Sequence, residues 1–277
     1  MPIQEPAHMG LSVTQRINGV QRAGIKGIKQ PRGGYLPVNS FEVIDLGGGM
    51  VDQAVETVSP GIVGIAVDYL SRVMTGATPA EAFHIPLLGV RALAAAGIDE
   101  TATYEALLAG IDGLTDESII CACRLAGYDA AFRAGVAAWR PADPGSGPDA
   151  QTIQNIRTMI ERAVVFFEKY GPVKVDGPTF SGGYTDTVSK GDGDFITEDT
   201  LWDFKVSKQK VNPKQTLQIL MYYLLWRRSE NADKVTIEKL GLYNPRQDIV
   251  YLKNIADIPA DVINEVDLDI IGYDDKF

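Results

Sequence analysis

Apolar residues recur at helical spacing through most of the first half of the chain. After a Ser59-Pro60 start signal, Ile62, Ile65, Ala66, Tyr69, Leu70 and Val73 share one face, which predicts a helix over 61–75. The same periodicity predicts helices over 78–96, 102–110 and 116–138. Ahead of them, residues 41–46 read as a strand or the approach to a turn, broken by Gly47, Gly48 and Gly49. A further helix is predicted from Asp149 to about Tyr170, with Ile153, Ile156, Ile160, Ala163, Val164 and Phe167 as its stripe and Gly171-Pro172 as its stop.

Beyond that stop the period shortens. Three β-type runs are predicted over 183–189, 193–197 and 200–206, separated by turns at 190–193 and at Glu198-Asp199. Pro213 opens a helix over 213–228, and two strands follow at 235–244 and 249–253. The order helix, three strands, helix, strand describes a compact α/β unit. A Pro, Gly and Asp cluster over 141–148 joins this unit to the helical half. Three regions are expected: a leader over 1–40, a mostly helical region over 41–148 and an α/β core over 149–277. The last two can equally form one domain over 41–277.

The chain has 277 residues, 45% hydrophobic and 22% charged, which is enough for a large globular core. No apolar run reaches the roughly 20 residues of a membrane span, and residues 1–10 lack the regions of a signal peptide, so a cytoplasmic protein is expected. Cys121 and Cys123 are too close in sequence for a disulfide and too few for a thiolate cluster, so they are expected as reduced structural thiols. The net charge of −10 argues against a protein that coats nucleic acid through a generally basic surface. Charge is unevenly placed, however. Arg16, Arg22, Lys26, Lys29 and Arg32 lie in the Gly-rich leader, expected as a flexible, solvated segment, whereas residues 257–275 are strongly acidic.

Candidate chemistry centres on residues 194–205. Asp194 and Asp203 fall on adjacent predicted strands, so strand pairing can bring their carboxylates together on one divalent ion of the Mg2+ or Mn2+ type. Lys205 is two residues from Asp203, which in a strand returns both to one face, where a lysine can orient or deprotonate a water or balance developing charge. On the helix that follows, Gln218 and Tyr222 are four apart and share a face, with Leu217, Leu220, Met221, Leu224 and Leu225 on the buried side. Each piece alone is commonplace strand or helix surface. Their joint order is what points to a site.

Gly191 to Asp194, Asp203 to Lys205 and Gln218 to Tyr222 resemble the G-x-x-D, D-x-K and Q-x-x-x-Y motifs of the PD-(D/E)xK nuclease superfamily, in its RecB-like branch. The resemblance covers about residues 150–255. It implies a restriction-endonuclease-like core, a mixed central sheet flanked by helices, with the helical region as an N-terminal elaboration. It also implies an exonuclease of repair, phage or defence type that cleaves DNA with Mg2+ or Mn2+. Asp194 and Asp203 would be metal ligands, Lys205 the catalytic lysine, and Gln218 and Tyr222 organisers of the site. Such proteins add an acidic or histidine ligand from an earlier helix. Glu161, Glu168 and Asp129 are the candidates here, with Glu161 the choice and an ordinary exposed glutamate its alternative.

Two cysteines cannot build the four-cysteine iron–sulfur cluster of some relatives, and there is no phosphate loop of an ATP motor, so neither cluster nor nucleotide cofactor is expected. Lys208, Lys210 and Lys214 on the strand-to-helix connection, with Arg227 and Arg228 beyond the helix, are candidates for phosphate contact. The opening to the site would be shaped by the N-terminal helices, and by a second subunit or a partner protein. A rival motif, Val43 to Asp52, resembles the second phosphate loop of actin-like ATPases, but lacks the earlier loop and second lobe that fold requires. The rival function is a nuclease-like core without turnover that binds nucleic acid or serves assembly.

Overall fold

In the computed structural model, residues 10–22, 24–141 and 147–274 are described. Most of the Pro, Gly and Asp cluster, and the extreme termini, lie outside them. The described chain opens with β1 (Leu11–Ser12) and α1 (Val13–Ile17), whose cap is a reciprocal pair in which Ser12 and Gln15 each accept the other's backbone amide. β2 (Glu42–Asp45) precedes the helices α2 (Pro60–Met74), α3 (Pro79–Ala82), α4 (His84–Ala95), α5 (Thr101–Ala109), α6 (Asp116–Ala126), α7 (Asp129–Arg133) and α8 (Ala150–Tyr170). Then come β3 (Val175–Asp176), β4 (Val188–Lys190), β5 (Phe195–Ile196), β6 (Thr200–Phe204), α9 (Pro213–Arg227), β7 (Lys239–Asn244), β8 (Ile249–Asn254) and α10 (Ala260–Glu265).

Six strands form one mixed sheet in the order β2, β8, β7, β6, β5, β3. β6 and β7 are parallel, and α9 provides the crossover such a pair needs; the other pairings are antiparallel. Alternation along β6 sends side chains to two separate cores. Trp202 and Phe204 join Phe195 in a core with α2, α6 and α8, whereas Leu201 joins Ile196 in a core with α1 and α9. The first core is tied together by Phe166 of α8, which stacks on Tyr243 at 4.1 Å between ring centroids and meets Trp202 edge-on at 4.8 Å. Gly241 faces Trp202 across the parallel pair, and a Cβ there would lie 2.3 Å from the indole. Only glycine leaves room for that ring.

The helical region and the α/β unit share this core, and β2 completes the sheet beside β8. A buried ion pair reinforces the junction: Arg246, in the turn between β7 and β8, donates to both carboxylate oxygens of Glu56 at 2.6 and 3.0 Å. The glycines after β2 serve the same junction. The Gly48 amide donates to Asp248, and Arg162 of α8 donates to the Gly48 and Gly49 carbonyls, so the loop is braced by protein groups.

Three expectations are corrected. The run over 183–189 does not join the main sheet; β4 pairs in parallel with β1, and β3 takes the place beside β5. The helix over 116–138 breaks after Ala126 into α7 and a 3-10 turn. Finally, the leader is not a solvated segment in residues 10–22 and 24–40. Leu11, Val13, Ile17 and Leu36 are buried, and the Arg16 guanidinium is buried on the carbonyls of Ile270 and Asp269 at 2.8 and 2.9 Å and of Lys26.

Candidate active site

The register of β5 and β6 creates the site. Phe195 pairs with Trp202, so Asp194, in the turn just before β5, falls opposite Asp203. Asp194 and Asp203 are in phase with Ile196 and Leu201, and therefore lie on the α9 side of the sheet. The backbone amide of Phe204 donates to Oδ2 of Asp194 at 2.6 Å, which fixes that carboxylate against β6. Lys205 returns to the face of Asp203 as the two-residue spacing requires, and its Nζ lies 2.8 Å from Oδ2 of Asp203. That contact is an ion pair outside hydrogen-bonding geometry, and the buried Oδ2 has no hydrogen-bond partner.

α9 supplies the opposite wall. Asn212 caps its first turn reciprocally with Gln215, and Pro213 stands at the helix start, where its missing amide hydrogen costs nothing. One turn further, Gln218 Nε2 donates to the Tyr222 hydroxyl at 2.8 Å. Tyr222 is buried beside Phe180 and under the turn carrying Gly191, where a Cβ would lie 3.4 Å from its ring. The five residues singled out from the sequence thus meet on one face of the sheet.

Electrostatics bind them into one unit. Burial, followed by repulsion from Asp203, pushes the Asp194 carboxyl up to about 8, against the pull of Lys205. Burial also raises Asp203, with Lys205 opposing it. Lys205 is pushed up in spite of its own burial, because Asp203 and Asp194 both favour the ammonium. Burial and the same two aspartates hold the Tyr222 phenol well above its ordinary value. The two aspartates thus favour the protonated forms of the lysine and the tyrosine.

A sixth residue belongs here and was missed. Asp68, half-buried on α2, acts electrostatically on both Asp194 and Lys205. Burial pushes its carboxyl up to about 6, opposed by Arg72 one turn later on the same helix. Arg72 also pairs with Asp176 of β3, whose strand neighbours Asp194: the Gly177 amide donates to the Asp194 carbonyl at 2.9 Å. Asp68 sits between Val67 and Tyr69, both buried, on a helix whose sequence signals only packing. An acid within an apolar stripe was the available signal.

Compared with family models, curated proteins and solved structures, the chain matches none.

The other acidic candidates are placed elsewhere. Glu161 is exposed on α8, because the face turned to the core carries Ile156, Met159, Ile160 and Ala163, and Glu168 is exposed as well. Asp129 is buried, but it accepts the Tyr69 hydroxyl at 2.8 Å and pairs with Arg133. Among the described residues, no three His, Cys, Asp or Glu side chains converge on one point as a ready-made metal cage. The basic rim also divides. Lys208, Lys210 and Lys214 are exposed, Lys214 donating to Asn18 at 2.8 Å, whereas Arg227 and Arg228 reach Asp267 at 2.6 and 3.7 Å. Asp267 is buried in the π-helical turn Val266–Ile271, so the acidic C-terminal segment folds back onto α9 and takes up these two arginines.

Cys121 and Cys123 are free, buried thiols on α6, and burial pushes Cys123 up to about 12. Among the described residues, no helix is long and apolar enough to cross a membrane.

Proposed function

We propose that the chain is a metal-dependent nuclease with a restriction-endonuclease-like core of the RecB-like type, acting on DNA. The observation that carries this reading is the convergence of Asp194, Asp203 and Lys205 with the Gln218–Tyr222 pair on one face of the sheet. A mixed six-stranded sheet flanked by helices is compatible with such a core.

The residues fit a divalent ion. Two carboxylates are held together at a cost that shows as raised proton affinity, which Lys205 Nζ, 2.8 Å from Oδ2 of Asp203, offsets only in part. Hard oxygen donors of this kind suit Mg2+ or Mn2+. Asp194 and Asp203 would hold the ion, and Asp68 would act electrostatically on Asp194 from further out. When bound, such an ion supplies a Lewis acid and a water of lowered pKa.

The chain's own groups supply the rest. Lys205, with its Nζ 2.8 Å from Asp203, is placed to orient or deprotonate the water and to stabilise negative charge growing on the phosphoryl oxygens. Gln218 holds Tyr222 through its hydroxyl oxygen, which leaves the phenolic hydrogen to donate toward the acids or a phosphate oxygen. The wall of Trp202 and Phe204 behind β6 fixes the strand that carries both Asp203 and Lys205.

Incubation with linear and circular DNA, in Mn2+ or in EDTA, tests the reading. Cleavage of the linear form in Mn2+ alone supports a nuclease that works from ends. Absence of metal-dependent cleavage at high protein concentration would leave a nuclease-like core without turnover.

A further inference from the structure

The basic leader and the connection from β6 to α9 are far apart in sequence and adjacent in space. Residues 10–40 contain no Asp or Glu and five cations, and residues 204–216 contain no Asp or Glu and four lysines, in a chain with 36 acids and 26 bases. Three contacts join them, and a fourth ties the leader to the turn before Asp194. Lys214 Nζ donates to Asn18 Oδ1 at 2.8 Å, and Thr216 Oγ1 donates to the Leu36 carbonyl at 2.6 Å. Gly34 packs so closely on Pro213 that a Cβ would lie 2.6 Å from the proline ring, and Gly191, three residues before Asp194, packs on Val13. The leader also doubles back: a Cβ on Gly27 would lie 2.9 Å from the Gly19 carbonyl oxygen, which sets Lys26 near Asn18 and hence Lys214.

Within this arrangement the cations are of two kinds. Arg16 is buried and spent on backbone carbonyls, and Arg22 Nη1 donates to the Gly10 carbonyl at 3.0 Å. Lys26, Lys29, Arg32, Lys208 and Lys210 are exposed. Lys26 and Lys29 border a cleft of about 400 Å3 that Arg16, Tyr35, Thr187 and the lone acid Asp269 also line. In a chain of net charge −10, two adjoining segments that hold cations and no acid of their own are where a polyanion is least repelled, although Asp269 lines the cleft and Glu265 is hydrogen-bonded to Tyr35 at its edge.

We infer that residues 18–22, 24–36 and 205–214 form one phosphate-binding track for a nucleic-acid strand, which leads it from the Lys26–Lys29 cleft to Asp194, Asp203 and Lys205. The identity of the polyanion rests on the nuclease reading; the track itself rests on placement and charge. Contacts of this kind hold the backbone and carry no sequence preference.

The test is binding of fluorescein-labelled DNA, duplex and single strand, to the full chain in EDTA, read by anisotropy over a salt series. Lys26→Ala/Lys29→Ala/Arg32→Ala is compared with the wild type and with Lys169→Ala/Lys234→Ala, which removes two exposed cations elsewhere. The leader variant should bind at least about tenfold more weakly at low salt, with a salt slope smaller by about 2 to 3, and the control should bind as the wild type does. Equal affinity of wild type and leader variant, equal weakening in both variants, or no binding by the wild type would each overturn the track. Track-dependent binding without metal-dependent cleavage would retain the track and remove the nuclease. Cleavage with binding indifferent to the leader would do the reverse.

Discussion

Asp194 accepts the backbone amide of Phe204 at 2.6 Å, so the carboxylate before β5 is anchored one residue beyond the aspartate it opposes. The anchor holds two acids together that repel one another, and it places the strain of the site on Asp194.

That strain has a pH signature. Asp194 takes up its proton at about 8 in the folded chain but near the ordinary carboxylate value when unfolded, so the folded state binds the proton more tightly. Stability should therefore fall as pH rises from about 4 to about 8, the window between those two values, and level off above it. Asp68, raised to about 6, and Asp203 act in the same direction. Urea denaturation of metal-free protein across this range should show the decline, and Asp194→Asn should flatten it. A wild-type midpoint that rises over this window, or an unchanged slope in the variant, would refute the assignment.

Asp68 and Glu161 offer a direct contrast. Asp68→Ala should lower metal-dependent cleavage by about 10- to 100-fold, the range for groups that orient a metal site from outside its immediate ligands. Glu161→Ala, altering an exposed residue, should leave the rate unchanged. Initial rates at saturating Mn2+ decide between them, and the opposite ranking would restore Glu161 as the third acid.

Glu56→Ala should cost about 3–5 kcal/mol, because it leaves the Arg246 guanidinium buried and unpaired at the junction of the helical region with the sheet. Glu56→Ala with Arg246→Met should recover part of that loss. Thermal or urea unfolding measures both, and a single variant as stable as the wild type would show that the pair does not hold the junction.

Much of the α/β unit was legible because its signals are local. α8 and α9 start at caps, α8 carries a continuous stripe whereas α9 is buried almost all round, and β6 alternates between the Trp202 and Leu201 faces, so the pairings Asp203 with Lys205 and Gln218 with Tyr222 followed from spacing. What was missed depends on partners distant in sequence. The leader has few apolar residues and many glycines, and it is held by groups such as the Ile270 carbonyl, 254 residues from Arg16. β4 looked like part of a meander and instead pairs with β1. Asp68 lies on a helix with a packing pattern, and only the tertiary approach of α2 to the end of β5 gives it a second role. Arg227 and Arg228 looked like a rim for phosphate because the fold-back of Asp267 has no signal in their own neighbourhood.

The catalytic assignment turns on Lys205, whose ammonium is held by Asp203 and Asp194. The most direct measurement compares cleavage of linear DNA in Mn2+ by wild type and Lys205→Ala, with circular dichroism confirming that both are folded. A loss of at least about 100-fold in the variant, the scale set by removal of one charge-stabilising group, is the expected result. Metal-dependent cleavage by Lys205→Ala at the wild-type rate would contradict it.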